Sequence, residues 1–416
     1  MEKLTKLQNP LVVLIAATGI NLTLGVLYSW SIISKDLVLV LGWSNSAASL
    51  PYTVAIIIFA VALLVAGRLQ DRLGPKRFVI AGVLLVGFGL LASSYSTTPT
   101  LMVLSYGALV GTGIGFGYSC VTPAVMKWWH PDKKGLVTGI VVGGFGVASV
   151  YVAPVTTLLL QHYGLAITFR ILGIFVLLVG IPLSLIITNP PAGYLPAAPV
   201  RTGKTGGAPK TTRRDYSWKE MLKTPQFYLL WVMFALASSA GLMIIGSISI
   251  IAAQQAAFEA GFLLVVLLAI FNAAGRIGGG MLSDKIGRIR TLQLMIILQG
   301  LNMLAFAFYL NPLTIALGTA IAGIAYGSLL SLFPSITSDF YGMKNFGLNY
   351  GILYTAWGIA GAIGPVFASA IADATGTFTN AYLISAGLLA LTLILNLVLK
   401  PLEQDKPAQD EILQEA

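Results

Sequence analysis

The sequence predicts an all-α membrane protein: twelve transmembrane helices in two six-helix repeats around a central cavity. Composition predicts the membrane. Of 416 residues, 56% are hydrophobic and only 10% charged, whereas soluble domains carry about 25% charged residues. Mean hydropathy is +0.85. Helices follow from the spacing of the apolar runs, each long enough to cross a hydrocarbon core about 30 Å thick. The repeat follows from a short polar motif that occurs twice.

The runs fall at 10–33, 47–68, 77–96, 101–126, 135–160 and 166–188, then at 226–250, 260–282, 291–310, 313–335, 345–371 and 377–399. The first is too long for the apolar region of a cleavable signal and reads as a span. Residues 189–225 are rich in Pro, Gly and Thr and carry Arg201, Lys204, Lys210, Arg213 and Arg214. Such a stretch is a flexible linker; its end, Tyr216–Thr224, is expected to form a short amphipathic helix at the membrane surface. The expected domains are an N-terminal bundle (1–188), a cytoplasmic linker (189–225), a C-terminal bundle (226–400) and an acidic tail (401–416).

Charge sets the expected orientation. With both termini inside, the tails and even-numbered connections hold every Lys and Arg except Lys35, Arg170 and Arg276. That is the positive-inside pattern. The net charge of +10 is thereby accounted for by topology and anionic lipid, with no nucleic-acid partner.

The halves repeat. Gly67-x-x-x-Asp71-Arg72-x-Gly74-x-Lys76-Arg77 follows the second run, and Gly280-x-x-x-Asp284-Lys285-x-Gly287-Arg288 follows the eighth. Pro123 and Pro334 keep nearly the same offset, as do Pro154 and Pro365. Carriers built this way hold their cargo between the repeats, near the midplane.

One residue breaks the apolar pattern. Arg276 lies eight residues before Asp284, about 12 Å at helical rise and thus near half depth. An arginine there costs at least about 2.5–3.5 kcal/mol on insertion scales. No Asp or Glu lies at that depth. The missing carboxylate is therefore expected on a ligand, which a guanidinium grips with paired hydrogen bonds. Asn272, four residues earlier, shares its helix face. Tyr118 and Tyr326 sit in glycine-rich stretches of the fourth and tenth runs, each offering a hydroxyl to a ligand or to a neighbouring backbone. Tyr28 lies high in the first run, where an interfacial aromatic belt accounts for it. In both motif copies Asp71 and Asp284, with Gly67, Arg72, Gly74, Lys76, Arg77 and Arg288, are placed in loops at the inner rim. A carboxylate there can latch onto a helix N-terminus of another span.

No enzyme constellation is present. His130 and His162 lack partners at metal spacing, and no Walker-type loop occurs. Neither catalysis, nor a metal, nor a cofactor is expected.

The twelve runs, the basic linker and the doubled Gly-x-x-x-Asp-Arg/Lys-x-Gly motif resemble the major facilitator superfamily. Phe271-Asn272…Arg276…Ser283-Asp284-Lys285-Ile286-Gly287-Arg288, Trp128-Trp129-His130-Pro131-Asp132-Lys133-Lys134-Gly135-Leu136 and Asn349-Tyr350-Gly351 resemble the oxalate/formate antiporter group. That group is related to the monocarboxylate transporters and includes bacterial proton-coupled lactate carriers. The resemblance implies that Arg276 binds a substrate carboxylate and that Tyr28 has a place along the pocket. It also implies that Trp357 stands where the oxalate/formate antiporter has a lysine. One cation beside an indole suits a monocarboxylate better than a dicarboxylate. The expected function is secondary transport of a small monocarboxylate, L-lactate or pyruvate, with a proton, by a monomer in a bacterial inner membrane. Exchange of small carboxylates is the alternative; a carboxylate-sensing receptor or a passive anion channel ranks lower. The animal relatives have a titratable carboxylate at the position of Asn272, so proton coupling here needs another carrier, such as the substrate.

Overall fold

The computed structural model describes residues 9–43, 45–191, 193–196, 214–258, 261–400 and 402. The middle of the linker and nearly all of the acidic tail lie outside the described residues.

Ten described helices are long and apolar enough to cross a membrane. One of them, Pro131–Ile186, has 56 residues, about 84 Å at helical rise and too long for one span. It breaks at Gly164, where φ is 71°. The Trp128 indole donates to the Thr188 carbonyl at 2.7 Å, so the second arm returns beside the first. These arms are the fifth and sixth spans. Phe346–Thr375, a helix of 30 residues, is the eleventh span and completes twelve.

Local chemistry sets the helix starts. Pro10, Pro75, Pro99, Pro225 and Pro312 each open a span from the first turn. Proline lacks the N–H that the first turn leaves unpaired. Large apolar side chains such as Leu178, Leu397 and Phe308 stay exposed. Outward apolar surface is what a lipid solvent permits, and close helix contacts rest instead on small residues.

Two expectations need correction. Asp71 and Asp284 are not in loops: the second span, Asn45–Leu73, and the eighth, Gly261–Ile286, run past them. The connections shrink to single residues, Gly74 (φ 82°) and Gly287 (φ 96°). Glycine alone takes such angles without strain, so the next helix begins at once. The surface helix expected over Tyr216–Thr224 is one turn, Trp218–Met221, closed by a capping box between Ser217 and Glu220.

Glycines bring spans together. In the fourth span, Gly111 and Gly115 abut Ala55 and Ala62 of the second, Gly113 abuts Gly82 of the third, and Gly117 abuts Leu24 of the first. Alternate glycines thus serve different neighbours. In the eighth span, Gly275 and Gly279 meet Ile324 and Ser328 of the tenth, Pro312–Tyr341. The two halves meet along the second and eleventh spans and along the fifth and eighth. There Gly67 faces Gly347, and Gly135 faces Gly280. Both glycine pairs lie toward the end where Lys and Arg gather, here called the basic end.

Candidate functional site

Arg276 is 2% exposed. Its Nε donates to Asn272 Oδ1 at 2.9 Å, one turn back on the same helix. Its Nη1 donates to the Val142 carbonyl of the fifth span at 2.7 Å. A methyl group at Gly139 would collide with the Arg276 carbonyl, and one at Gly146 would sit 3.2 Å from its Cζ. The fifth span can therefore approach Arg276 only because both positions are glycine. On the other side of this helix, Asn21 of the first span donates to the Val141 carbonyl at 2.7 Å.

The sequence left the guanidinium without a facing protein group, and here the structure differs: two neutral acceptors face it. They occupy two of its five N–H donors. Among the described residues no carboxylate bonds to it, so its charge stays unbalanced.

Tyrosines lie near the cation. Tyr28, Tyr118, Tyr326 and Tyr354 all lie within its electrostatic reach. Tyr28 sits in a 3-10 turn, Gly25–Ser29, that interrupts the first span. The rings of Tyr28 and Tyr118 stand edge-on to Phe145, with centroids 5.3 and 5.2 Å away. Tyr354 stacks on Trp357 at 5.1 Å. The Trp357 Nε1–H donates to the Tyr326 hydroxyl at 2.7 Å. Arg276, Asn272, Tyr28, Tyr118, Tyr326 and Trp357 thus gather in one place.

Phe145 and Tyr354 complete the cluster and escaped the sequence reading. Tyr354 carries a usable signal, three residues before Trp357 and hence on its face. Phe145 carries a weaker one, as the single bulky residue in Gly143-Gly144-Phe145-Gly146. The Val142 carbonyl carries none, because every residue has one.

At the basic end the two aspartates make matching contacts. Asp284 accepts from the backbone N–H groups of Gly135 (2.9 Å) and Leu136 (2.7 Å), in the first turn of the fifth span. Asp71 accepts from Gly347 and Leu348, in the first turn of the eleventh span, both at 3.4 Å. Each carboxylate sits on a helix N-terminus of the opposite half, where unpaired donors and the dipole favour it. Arg288 binds Asp284 and also donates to Asp339 at 3.2 Å. Asp339 lies in the last turn of the tenth span. Beside Asp71 lies Lys127, whose ammonium burial pushes below its usual pKa while Asp71 and Asp215 pull it back. Arg72, Lys76 and Arg77 form no ion pair with another described residue.

A cleft of about 460 Å³ lies between the eleventh span and the twelfth, Thr379–Val398; Phe367, Ile371 and Leu383 line it. It contains no charged side chain and lies apart from Arg276. Among the described residues no group of His, Cys, Asp or Glu could hold a metal ion.

The fold and the doubled motif define a carrier with two pseudo-equivalent halves. The Major Facilitator Superfamily profile matches residues 11–316 and 248–415, and the chain belongs to that family. It is 32% identical to an uncharacterized transporter of this type, YhjX of Escherichia coli (strain K12), over 81% of this chain and 82% of the relative. It is 30% identical to the oxalate:formate antiporter of Oxalobacter formigenes over 87% of this chain and 84% of that one. Monocarboxylate transporter 12-B of Danio rerio is 26% identical over 76% of this chain and 71% of its own length. Among solved structures, the E. coli fucose:proton symporter superposes with a TM-score of 0.73 at 14% identity, covering 94% of this chain and 100% of that one. That likeness speaks for the fold.

Proposed function

We propose that this transporter carries a small monocarboxylate, such as L-lactate or pyruvate, by alternating access. One observation carries the proposal: a buried arginine, unbalanced by any described carboxylate, bridges the two halves near a cluster of aromatic side chains. Its free N–H groups offer a carboxylate a charge-assisted grip. The aromatic walls suit a short apolar body. With Trp357 in the cluster, a second carboxylate would find no second cation.

In this reading residues 1–188 and 226–400 rock about the site, with both termini cytoplasmic, in a bacterial inner membrane, as a monomer surrounded by lipid. The basic end is the cytoplasmic face. Asp71 and Asp284, with Gly67, Gly74 and Arg288, hold that face shut. Arg72, Lys76 and Arg77 interact with anionic headgroups. Substrate neutralises Arg276 and so lowers the barrier to closing the halves around it, since a bare cation disfavours a closed apolar site.

Proton symport is the favoured mode. A carboxylic acid with a pKa near 3.9 is about 0.1% protonated at pH 7, and Asn272 cannot titrate, so symport needs a proton carrier other than Asn272, either the substrate itself or another group. Asn272 also favours the second mode, exchange of one small carboxylate for another, because exchange needs no titrating group. Purified protein in liposomes decides. Accumulation of radiolabelled lactate with external alkalinisation supports symport. Uptake that requires internal carboxylate, without proton movement, supports exchange. Normal uptake by a well-folded Arg276→Ala variant defeats the proposal.

A further inference from the structure

We infer that Trp357 commits the Tyr326 hydroxyl to donating toward the ligand, and that the cluster of Arg276, Asn272 and Tyr326 thereby discriminates carboxylates from amino acids of the same size. The inference rests on Arg276 being the anion site. It assigns Trp357 a positioning role and adds a selectivity that a lone cation does not supply.

The indole Nε1–H can only donate. In its 2.7 Å bond with Tyr326, the tyrosine oxygen must therefore accept. The hydroxyl proton is left to point elsewhere, and no described residue accepts it. Tyr326 is 4% exposed, and Tyr28, Arg276 and Tyr118 lie within its electrostatic reach. Its ring is pinned at Gly241 of the seventh span, Pro225–Ala256, where a side chain would strike it. The stack of Trp357 on Tyr354 holds the indole in turn. A buried O–H that has lost a lone pair to the indole serves an acceptor on the ligand.

The same logic applies to Asn272. Arginine only donates, so the bond from Arg276 Nε fixes the Asn272 amide with its oxygen inward. Its NH₂ group is what remains. Arg276, Asn272 and Tyr326 therefore present donors alone. Lactate or pyruvate offers acceptors to all three. Alanine, similar in size, brings an ammonium that meets in this cluster a cation and two further donors, and such a group is costly to bury unpaired.

The test is ligand-dependent thermal protection of the purified carrier, titrated with L-lactate and with L-alanine. Wild type should bind lactate at least about 30-fold tighter than alanine. Tyr326→Phe should weaken lactate binding about 10-fold, the range for a bond to a charged acceptor. Trp357→Phe, which keeps the stacking, should weaken it several-fold and narrow the lactate–alanine gap. In the Tyr326→Phe background, Trp357→Phe should cost nothing more, because residues acting through one another are not additive. Full additivity in the double variant, or unchanged lactate binding by Tyr326→Phe, overturns the inference while leaving the transport proposal standing. Failure of wild type to bind any carboxylate overturns both.

Discussion

Arg276 and Val142 lie on different halves of the molecule, and the 2.7 Å bond from the Arg276 guanidinium to the Val142 carbonyl ties those halves together at the depth of the site. Besides Asn272 of its own helix, the cation thus bonds a backbone oxygen of the other half, and in the proposed function a ligand carboxylate is a further acceptor. A carboxylate is the stronger partner, since charge-assisted bonds are roughly twice as strong as neutral ones. On the proposed function, a bound carboxylate would compete with this tether between the halves.

Removing that cation should leave fold and expression intact and abolish carriage. Arg276→Ala should lower the initial rate of lactate uptake by at least about 100-fold, from the worth of bonds to a charged group. Arg276→Lys should fall nearly as far, because an ammonium cannot reproduce the planar fork. Uptake in liposomes, normalised to a single symmetric peak on size exclusion, measures both.

Narrowing the approach of the fifth span should move the cation. Gly146→Ala places a methyl group 3.2 Å from Arg276 Cζ, so the guanidinium must shift by a few tenths of an ångström. The expected result is a several-fold higher KM with a smaller change in maximal rate. Gly139→Val, which strikes the Arg276 backbone, should instead part the basic end. Labelling of single cysteines placed at that end should then speed up.

The two aspartate contacts should differ in strength. Asp284 makes the shorter bonds and is paired with Arg288, whereas both Asp71 bonds are 3.4 Å. Asp284→Asn should destabilise the closed basic end by about 1–3 kcal/mol and Asp71→Asn by less than about 1 kcal/mol. Spin-label distances across the basic end, with melting temperature in detergent as a control, should rank the variants in that order.

The turn after the linker should resist acid. Hydrogen bonds from the Ser217 N–H and hydroxyl and from Arg214 lower the Glu220 pKa to about 2. A depressed carboxylate pKa stabilises the folded turn above the unfolded value near 4.3. That support is lost as pH falls from there through about 2. Hydrogen exchange at Trp218–Met221 should stay slow at pH 5 and accelerate in acid, and Glu220→Gln should remove the dependence.

The sequence by itself determined the number of spans, the repeat, the gathering of basic residues at one end and the candidacy of Arg276. Lipid explains why: a solvent without hydrogen-bonding capacity makes apolar length and misplaced charge decisive. Asn272 was legible from helical spacing, and Asp71 and Asp284 from the duplicated motif. Only the tertiary structure decided what these groups touch. The partners of Asp71, Asp284 and Arg276 are backbone N–H and C=O groups of Gly347, Gly135 and Val142 and their neighbours, and backbone groups have no letter in a sequence. Tyr354 and Phe145 entered the site because glycines elsewhere let helices close to contact. That proximity depends on packing across more than a hundred residues of chain, which local periodicity does not encode.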